Sequence, residues 1–241
     1  MSVVYVKKEK LERIGMSKVI KTDVVLDIGC GIQPQHVFVP RVHICFEPYI
    51  KYIEVLKERL KNNFCSNFII LNGGWEDAIK IFPEKSVDTL FLLDIIEHLE
   101  KETSLKLLKQ TEKIARRQVV ITTTYGFVPQ HHPDGNDIWG LGGGRWQEHR
   151  SGWYPEDFGN GWDIYISKDF FTHSVYGEKF EKPLGYLWAI KTIDKTGIKF
   201  FRLKKIYCVI RRIIKNNFLK VVAFCKDILR PLYRFIMKKL V

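Results

Sequence analysis

The stretch that most constrains the fold is a short apolar run followed at once by two glycines. Residues Val24–Ile28 are rich in β-branched side chains, which is typical of a buried strand. Gly29 and Gly31 follow directly, and Pro34 favours the first turn of a helix. Because glycine lets the backbone approach a ligand closely, this pattern predicts a ligand crevice at the end of a strand in an α/β sheet. Gln33 takes the place of a third glycine and no Gly-Lys-Ser/Thr follows, so the turn is neither a dinucleotide fingerprint nor a P-loop.

Acidic side chains come at the ends of successive predicted strands. The acid that closes the first strand suits a cationic, amine-bearing ligand better than a phosphate. The acid that closes the second, twenty residues later, can accept both ribose hydroxyls of a nucleoside, because a carboxylate accepts two hydrogen bonds side by side. A tryptophan with two acids follows the third strand and suits an adenine. In chain order these residues are Asp27, Glu47, Trp75-Glu76-Asp77 and Asp94, the last with Glu97 and His98 behind it.

These motifs resemble those of the class I S-adenosylmethionine-dependent methyltransferases, over roughly residues 20–195. The resemblance implies an α/β, Rossmann-like fold with a seven-stranded, mostly parallel sheet whose last strand is antiparallel. It also implies S-adenosylmethionine as cofactor. A later stretch, residues 124–130 with 149–153 and Asp157-Phe158, is similar to a bacterial and archaeal subgroup whose substrates are often unassigned. Position by position, the implied cofactor-binding residues are Asp27, Gly29, Cys30, Gly31, Glu47, Pro48, Trp75, Glu76, Asp94, Ile95 and His98.

Apolar periodicity predicts helices that alternate with these strands. The predicted helices cover residues 7–20, a short segment from Pro34, and residues 49–60, 78–82 and 102–116. After the first strand, further strands are predicted at residues 43–47, 68–71, 87–93, 119–123, 161–167 and 184–193. Strands alternating with helices favour right-handed crossovers and a mostly parallel sheet.

Residues 125–162 form a candidate lid over the cofactor side of the sheet. The segment holds nine of the seventeen glycines and four of the six tryptophans. A loop of this length in a compact domain usually closes over a ligand or binds one. We expect residues 140–144 to be mobile and the part around Trp153 to be anchored.

Five side chains near the predicted pocket are candidate catalytic groups: His131, His132, Tyr125, His98 and His149. Methyl transfer mainly requires alignment of nucleophile, carbon and leaving sulfur, and a base only if the acceptor is protonated at neutral pH. His131 and His132 are the preferred bases because both follow the fifth predicted strand, and Tyr125 is a third candidate. The alternative is that His131 and His132 only contact substrate or solvent. His98 is expected instead to shape the turn after the fourth strand, and His149 to pair with Asp157 or a backbone carbonyl. Because adjacent histidines rarely reach one ion, the run from His131 to Asp134 is not interpreted as a metal site, and no metal is predicted.

All of the excess positive charge lies in the last 43 residues. Residues 199–241 hold thirteen Lys or Arg and one acid, Asp227, which accounts for the whole net charge of +12. We therefore divide the chain into a methyltransferase domain, residues 1–198, and a basic amphipathic helical tail, residues 199–241, in which Pro231 predicts a kink.

This tail has three candidate partners. Its uncharged runs are too short to cross a bilayer, but apolar residues at helical spacing opposite Lys and Arg favour an anionic membrane surface. The apolar stripe could instead pack on the domain itself or in a homodimer. Nucleic acid is less favoured, because the aromatic residues do not alternate with the basic ones as a base-stacking platform requires.

These features together predict where the protein acts and on what. Residues 1–21 lack an apolar core of signal-peptide length, and the five cysteines form no disulfide framework, so we expect a cytoplasmic protein on the inner membrane face. The expected reaction is methyl transfer to an O- or N-nucleophile on a membrane-associated glycan, a glycolipid or an amphiphilic metabolite. The alternatives are an RNA methyltransferase whose tail follows phosphates, and a non-catalytic binding protein with this fold.

Overall fold

A computed structural model describes residues 1–63 and 65–194. The predicted tail, with its membrane, dimer and RNA interpretations, lies outside these residues, as does the predicted boundary at residue 198. The described residues fall in one compact unit. No helix within them is long and apolar enough to cross a membrane.

The unit is built on an eight-stranded sheet. Its strands follow the order β1-β7-β8-β6-β5-β2-β3-β4. All neighbours pair in parallel except at β8, which is antiparallel to both β6 and β7. The strands are β1 (Ser2–Tyr5), β2 (Val24–Ile28), β3 (Val42–Glu47), β4 (Asn67–Asn72), β5 (Val87–Leu93), β6 (Ala115–Tyr125), β7 (Trp162–His173) and β8 (Lys179–Thr192).

Five α-helices are present among the described residues. Four of them correspond to predicted helices, and the short fifth lies in the candidate lid. They are α1 (Lys8–Lys18), α2 (Ile50–Leu60), α3 (Trp75–Ile81), α4 (Lys101–Ile114) and α5 (Gly144–Gln147), with single 3₁₀ turns at Ile96–His98 and Pro155–Phe158.

The predicted strand count of seven is wrong, because the amino-terminal segment adds β1 to one edge of the sheet. Ser2 pairs with Asp163 of β7, and the Ser2 hydroxyl donates to the Asp163 carboxylate over 2.5 Å. The Val6 amide extends the pairing by donating to the Ile166 carbonyl over 2.8 Å. β1 has four residues, all exposed or half-buried, so it carries no apolar alternation from which it could be predicted.

The helix predicted from Pro34 is also wrong, because side chains hold this segment as an irregular loop between β2 and β3. The Gln35 side chain donates to the Phe38 carbonyl over 2.9 Å and accepts from the Val37 amide over 2.9 Å. Asp27 Oδ2 accepts the Gln35 amide over 2.7 Å. These bonds use the backbone groups that a helix would pair internally, so the chain turns back without one.

The central strands are buried on both faces, which explains their continuous apolar sequences. Leu26 and Ile28 of β2 pack with residues of α3 and α4 in the larger apolar cluster. Val25, between them in sequence, faces the opposite side and packs in a second cluster with Leu11 of α1. The carboxyl ends of β2 to β6 therefore meet at one edge of a rigid scaffold.

Candidate active site

A cavity of about 550 Å³ lies at the carboxyl ends of β2, β3 and β5, with the loop after β4 and the lid forming its other walls. This volume is within the usual range for small-molecule sites, about 300–1,000 Å³. Seven of the eleven predicted cofactor residues line it: Gly29, Glu47, Pro48, Trp75, Glu76, Ile95 and His98. The other four, Asp27, Cys30, Gly31 and Asp94, are not among the lining residues.

The glycine turn after β2 has the backbone conformation that its sequence predicts. Gly29 has φ of 69° and Gly31 has φ of 58°, a left-handed region that favours glycine. The Gly29 amide donates to the Phe46 carbonyl over 2.7 Å, which closes the turn onto β3. A Cβ at Gly29 would overlap the Ile95 side chain, which lines the same cavity. Glycine is therefore required here by both its φ and its neighbour.

Glu47 ends β3 with a buried carboxylate in the cavity wall. Its Oε2 accepts the Gly31 amide and its Oε1 accepts the Tyr49 amide, each over 2.9 Å. Burial raises the pKa of Glu47 to about 7, although these two hydrogen bonds act in the opposite direction. Each carboxylate oxygen has a second lone pair, so Glu47 can still accept two further hydrogen bonds from a ligand diol.

Asp27 and Cys30 support the turn from behind. The buried Asp27 carboxylate lies 3.2 Å from Nε2 of His43 and accepts the amide of Gln35. Cys30 is buried and packs with Cys45 and Leu56. The structure therefore places these two predicted residues where they position the loop after β2, and not at the cavity surface.

The segment before α3 forms the wall opposite the glycine turn. Gly74, Trp75, Glu76 and Asp77 all line the cavity, and Asp77 Oδ2 accepts the Gly74 amide over 3.1 Å. Of these, Gly74 was not predicted. Its proximity to the tryptophan is a local signal that could have indicated it, because a glycine lets the backbone approach a ligand.

Asp94 follows β5 in a strained conformation, with φ of 54°. Its Oδ1 accepts the Tyr186 hydroxyl over 2.5 Å and the Thr122 hydroxyl over 3.1 Å. Its side chain reaches solvent, yet the protein atoms around it raise its pKa by desolvation more than these two bonds lower it. Tyr186 comes from β8, 92 residues away in sequence, so no local pattern predicts this pair.

Glu97 and His98 lie in the 3₁₀ turn after β5, and His149 of the lid packs against them. Burial raises the pKa of Glu97 well above its usual range, and the Asp94 charge adds to this. Burial, together with His149, lowers the pKa of His98 to about 4, so this ring is neutral at physiological pH. The His98 and His149 ring centroids are 4.9 Å apart.

The three preferred catalytic candidates, His131, His132 and Tyr125, do not line the cavity. His131 is exposed, 3.5 Å from Glu148. His132 is buried, its Nδ1 lies 2.8 Å from the Tyr176 hydroxyl, and its Nε2 has no partner. Tyr125, at the end of β6, is half-buried, and desolvation raises its pKa. Their catalytic roles stay predictions.

The structure limits the lid to residues 126–161, between β6 and β7, and the lid contributes cavity residues that the sequence did not predict. Arg145, Trp146 and Arg150 line the cavity, and the Arg145 guanidinium lies 4.6 Å from the Trp146 ring centroid. Trp153 is fully buried, and Lys101 Nζ lies 3.8 Å from its ring centroid, as expected for an anchored part. Nothing local distinguishes the two arginines from solvated charges, because only the docking of the lid brings them to the cavity.

Asp137 organises the glycine-rich part of the lid. It accepts the amides of Trp139 and Leu141 through Oδ1, and the Gly143 amide and the Tyr52 hydroxyl through Oδ2. Burial alone would raise the pKa of Asp137, but these bonds lower it. The part predicted to be mobile is thus tied to α2. Its mobility stays a prediction.

Solved structures share this architecture at low sequence identity. TehB from Haemophilus influenzae gives a TM-score of 0.52 and 14% identity, over 75% of this chain and 61% of that one. A SAM-dependent methyltransferase from Leishmania major gives a TM-score of 0.51 and 12% identity, over 75% of this chain and 70% of that one. YcgJ from Bacillus subtilis gives a TM-score of 0.50 and 13% identity, over 76% of this chain and 98% of that one.

Other matches are partial. The chain spans 42% of the cyclopropane synthase MmaA2 from Mycobacterium tuberculosis and 53% of PH0226 from Pyrococcus horikoshii, both at a TM-score of 0.39. No family model matches the chain, and no curated protein sequence matches it at a significant level. The fold is that of the class I S-adenosylmethionine-dependent methyltransferases, as its motifs predicted.

Proposed function

We propose that the protein is an S-adenosylmethionine-dependent methyltransferase. The observation that carries the proposal is the Glu47 carboxylate, held at the end of β3 beside the Gly29 turn in the wall of the cavity. In a sheet of this topology, an acid at this point suits a ribose diol. Arg145 and Arg150 give the same cavity positive charge from the lid side.

The cavity residues fit this cofactor by their chemistry. Glu47 would accept the ribose hydroxyls, and Trp75 would offer an aromatic face to the adenine. Gly29 leaves the strand end without a side chain, and Ile95 supplies an apolar wall. When bound, the cofactor supplies an electrophilic methyl group on a sulfonium. The protein then has to hold an acceptor nucleophile in line with it and exclude water.

Cofactor binding tests this proposal directly. Isothermal titration of the full-length protein with S-adenosylmethionine should show one site per chain, and Glu47→Ala should weaken it at least about tenfold, since a bidentate contact to the ribose is lost. Glu54→Ala, an exposed acid on α2, is the matched control and should bind as the wild type does. Absence of binding to the wild type would overturn the proposal and favour a non-catalytic protein.

We propose an O- or N-nucleophile on a membrane-associated glycan, glycolipid or amphiphilic metabolite as the methyl acceptor. The basic residues of 199–241 support membrane attachment at the cytoplasmic face, since each basic group near an anionic surface adds about 1 kcal/mol. Arg145 and Arg150 favour an acceptor that carries an anionic group such as a phosphate, because guanidinium groups match phosphate geometry.

Labelling and sedimentation separate the acceptors. Radiolabelled S-adenosylmethionine is incubated with the protein and a lysate, and label is counted in lipid, glycan, RNA and protein fractions. Label in lipid or glycan would support the proposed acceptor, and label in RNA would contradict it. A chain shortened to residues 1–198 should lose co-sedimentation with anionic liposomes, and unchanged binding would remove the membrane assignment.

A further inference from the structure

A cluster of side chains with metal-ligating atoms lies beside the cavity, and one of its members, His98, lines it. Glu97, His98 and His149 each offer one ligand atom, and these atoms lie within 4.8 Å of one another. It is the single such group found in the part of the chain that the structure describes. Arg150, which directly follows His149, lines the cavity as well. The cluster therefore lies beside the space that a cofactor and an acceptor would share.

Backbone carbonyls fix the orientation of both imidazole rings. His98 Nδ1 lies 3.1 Å from the Glu148 carbonyl, and His149 Nδ1 lies 2.6 Å from the Val128 carbonyl. A carbonyl can only accept, so each Nδ1 carries the proton and each Nε2 carries a lone pair. Metal-binding histidines are held in the same way, with the nitrogen that does not bind donating to a carbonyl or a carboxylate.

The third ligand is held just as firmly. Glu97 is buried, and its Oε2 accepts the Thr123 hydroxyl over 2.8 Å. The carbonyl of Glu97 accepts the amides of Arg150 and Ser151, over 2.7 and 3.1 Å. These two bonds join Arg150 and Ser151, which follow His149 in the lid, to Glu97 after β5. The ligands from the lid and from the strand end are therefore held together before any ion arrives.

We propose that Glu97, His98 and His149 bind a divalent transition-metal ion. Two imidazoles and one carboxylate suit Mn²⁺, Fe²⁺, Co²⁺ or Zn²⁺ better than Mg²⁺ or Ca²⁺, which prefer oxygen ligands. Bonds of about 2.0–2.2 Å place ligand atoms about 3 Å apart. The ligand atoms, now within 4.8 Å of one another, would therefore have to approach by up to about 2 Å to bind one ion. Three protein ligands leave coordination positions for a substrate oxygen.

The role of this ion rests on the proposed function and narrows the acceptor to a hydroxyl. A divalent cation lowers the pKa of an oxygen that it coordinates. The hydroxyl proton would leave to solvent, and the oxygen would form its bond to the methyl carbon as the carbon–sulfur bond breaks. The electron pair of that bond stays on sulfur. The cluster thereby supplies what the preferred candidates His131, His132 and Tyr125, none of which lines the cavity, do not supply there.

Metal titration of the full-length protein tests the site. The protein is stripped with a chelator and titrated with Mn²⁺, and free Mn²⁺ is followed by electron paramagnetic resonance. We expect one tightly bound ion per wild-type chain. Glu97→Gln and His149→Ala should each weaken binding at least about tenfold, because a direct ligand contributes no less than its supporting groups do. His173→Ala removes an exposed histidine outside the cluster and should bind as the wild type does.

Folding and cofactor binding are measured on the same samples. Each variant should keep a cooperative thermal transition, and His149→Gln replaces His149→Ala if the latter does not fold. Absence of stoichiometric Mn²⁺ in the wild type, or equal binding by Glu97→Gln and His149→Ala, would overturn the metal site. Loss of S-adenosylmethionine binding by the wild type would instead overturn the proposed function, so the two failures are distinguishable.

Discussion

The two sides of the cavity are built in different ways. The strand-end side consists of residues at or just after the carboxyl ends of β2, β3, β4 and β5. Short side chain-to-backbone bonds hold it, such as those of Glu47 to the amides of Gly31 and Tyr49. The lid side comes from residues 126–161 and reaches the cavity through long-range contacts. Buried Trp153 and the amides of Arg150 and Ser151 hold it in place. One side is encoded locally, whereas the other depends on docking.

Truncation of the lid anchor should have the largest effect. Trp153→Ala removes a fully buried aromatic side chain, which typically costs about 3–5 kcal/mol of unfolding free energy. Chemical denaturation measures this. Trp139→Ala is the matched control, since Trp139 is 41% exposed, and should cost much less. Equal losses for the two variants would mean that docking of the lid does not depend on the buried tryptophan.

A substitution on the strand-end side should follow in size. Gly29→Ala places a side chain at φ of 69°, which costs about 1–2 kcal/mol, and overlap with Ile95 adds about 1–3 kcal/mol. Thermal denaturation and cofactor titration should both show the loss. Gly135→Ala has a similar φ of 73° and no atom within 4 Å, so it isolates the backbone contribution. If both variants lose the same stability, the contact with Ile95 is unimportant.

Loosening the glycine-rich part of the lid should have a smaller effect. Asp137→Asn keeps the size of the side chain but removes the charge that four hydrogen bonds share, at a cost of about 1 kcal/mol. We expect faster hydrogen exchange at the Gly143 amide in this variant. Asp134→Asn, in an exposed turn, is the control, and its Gly143 amide should exchange at the wild-type rate. Unchanged exchange at Gly143 would show that Asp137 does not organise the lid.

The buried carboxylate of Glu47 should also make the stability of the protein depend on pH. Its pKa of about 7 in the folded protein lies above the ordinary 4.5, so the folded state binds the extra proton between these values. This contribution to stability is present below pH 4.5 and is lost as the pH rises through 7. Denaturation from pH 5 to 8 should therefore show a decline in the wild type that Glu47→Gln reduces. If stability declines identically in the wild type and in Glu47→Gln, other titrating groups cause the decline.

Much of the strand-end side could be predicted because its signals are contiguous. β2 and β5 begin and end at the predicted residues, and seven predicted cofactor residues line the cavity. The helix predicted from Pro34 failed because a single side chain, Gln35, bonds locally to the backbone of its own loop. The periodicity of apolar residues, from which helices are predicted, contains no information about such a bond.

The remaining residues could not be predicted, because their positions depend on the folded chain. Tyr186 reaches Asp94 from β8, and Arg145 reaches the cavity through the lid. His149 was expected to pair with Asp157 or a backbone carbonyl, and the Val128 carbonyl is the partner that it has. Asp157 instead pairs with Lys101. The sequence limited the expected hydrogen-bond partners of His149, but it did not show that this residue would lie beside Glu97.

The two hydrogen bonds from the Arg150 and Ser151 amides to the Glu97 carbonyl also bear on how ligands exchange with solvent. Displacing this stretch would leave the Glu97 carbonyl and two amides without partners, so we expect it to remain fixed while ligands come and go. Arg145 and Trp146 lie earlier in the lid and also line the cavity, so we expect ligands to exchange on that side of it. The dissociation rate of a bound ligand should then change more on substitution of Arg145 or Trp146 than on substitution of Ser151.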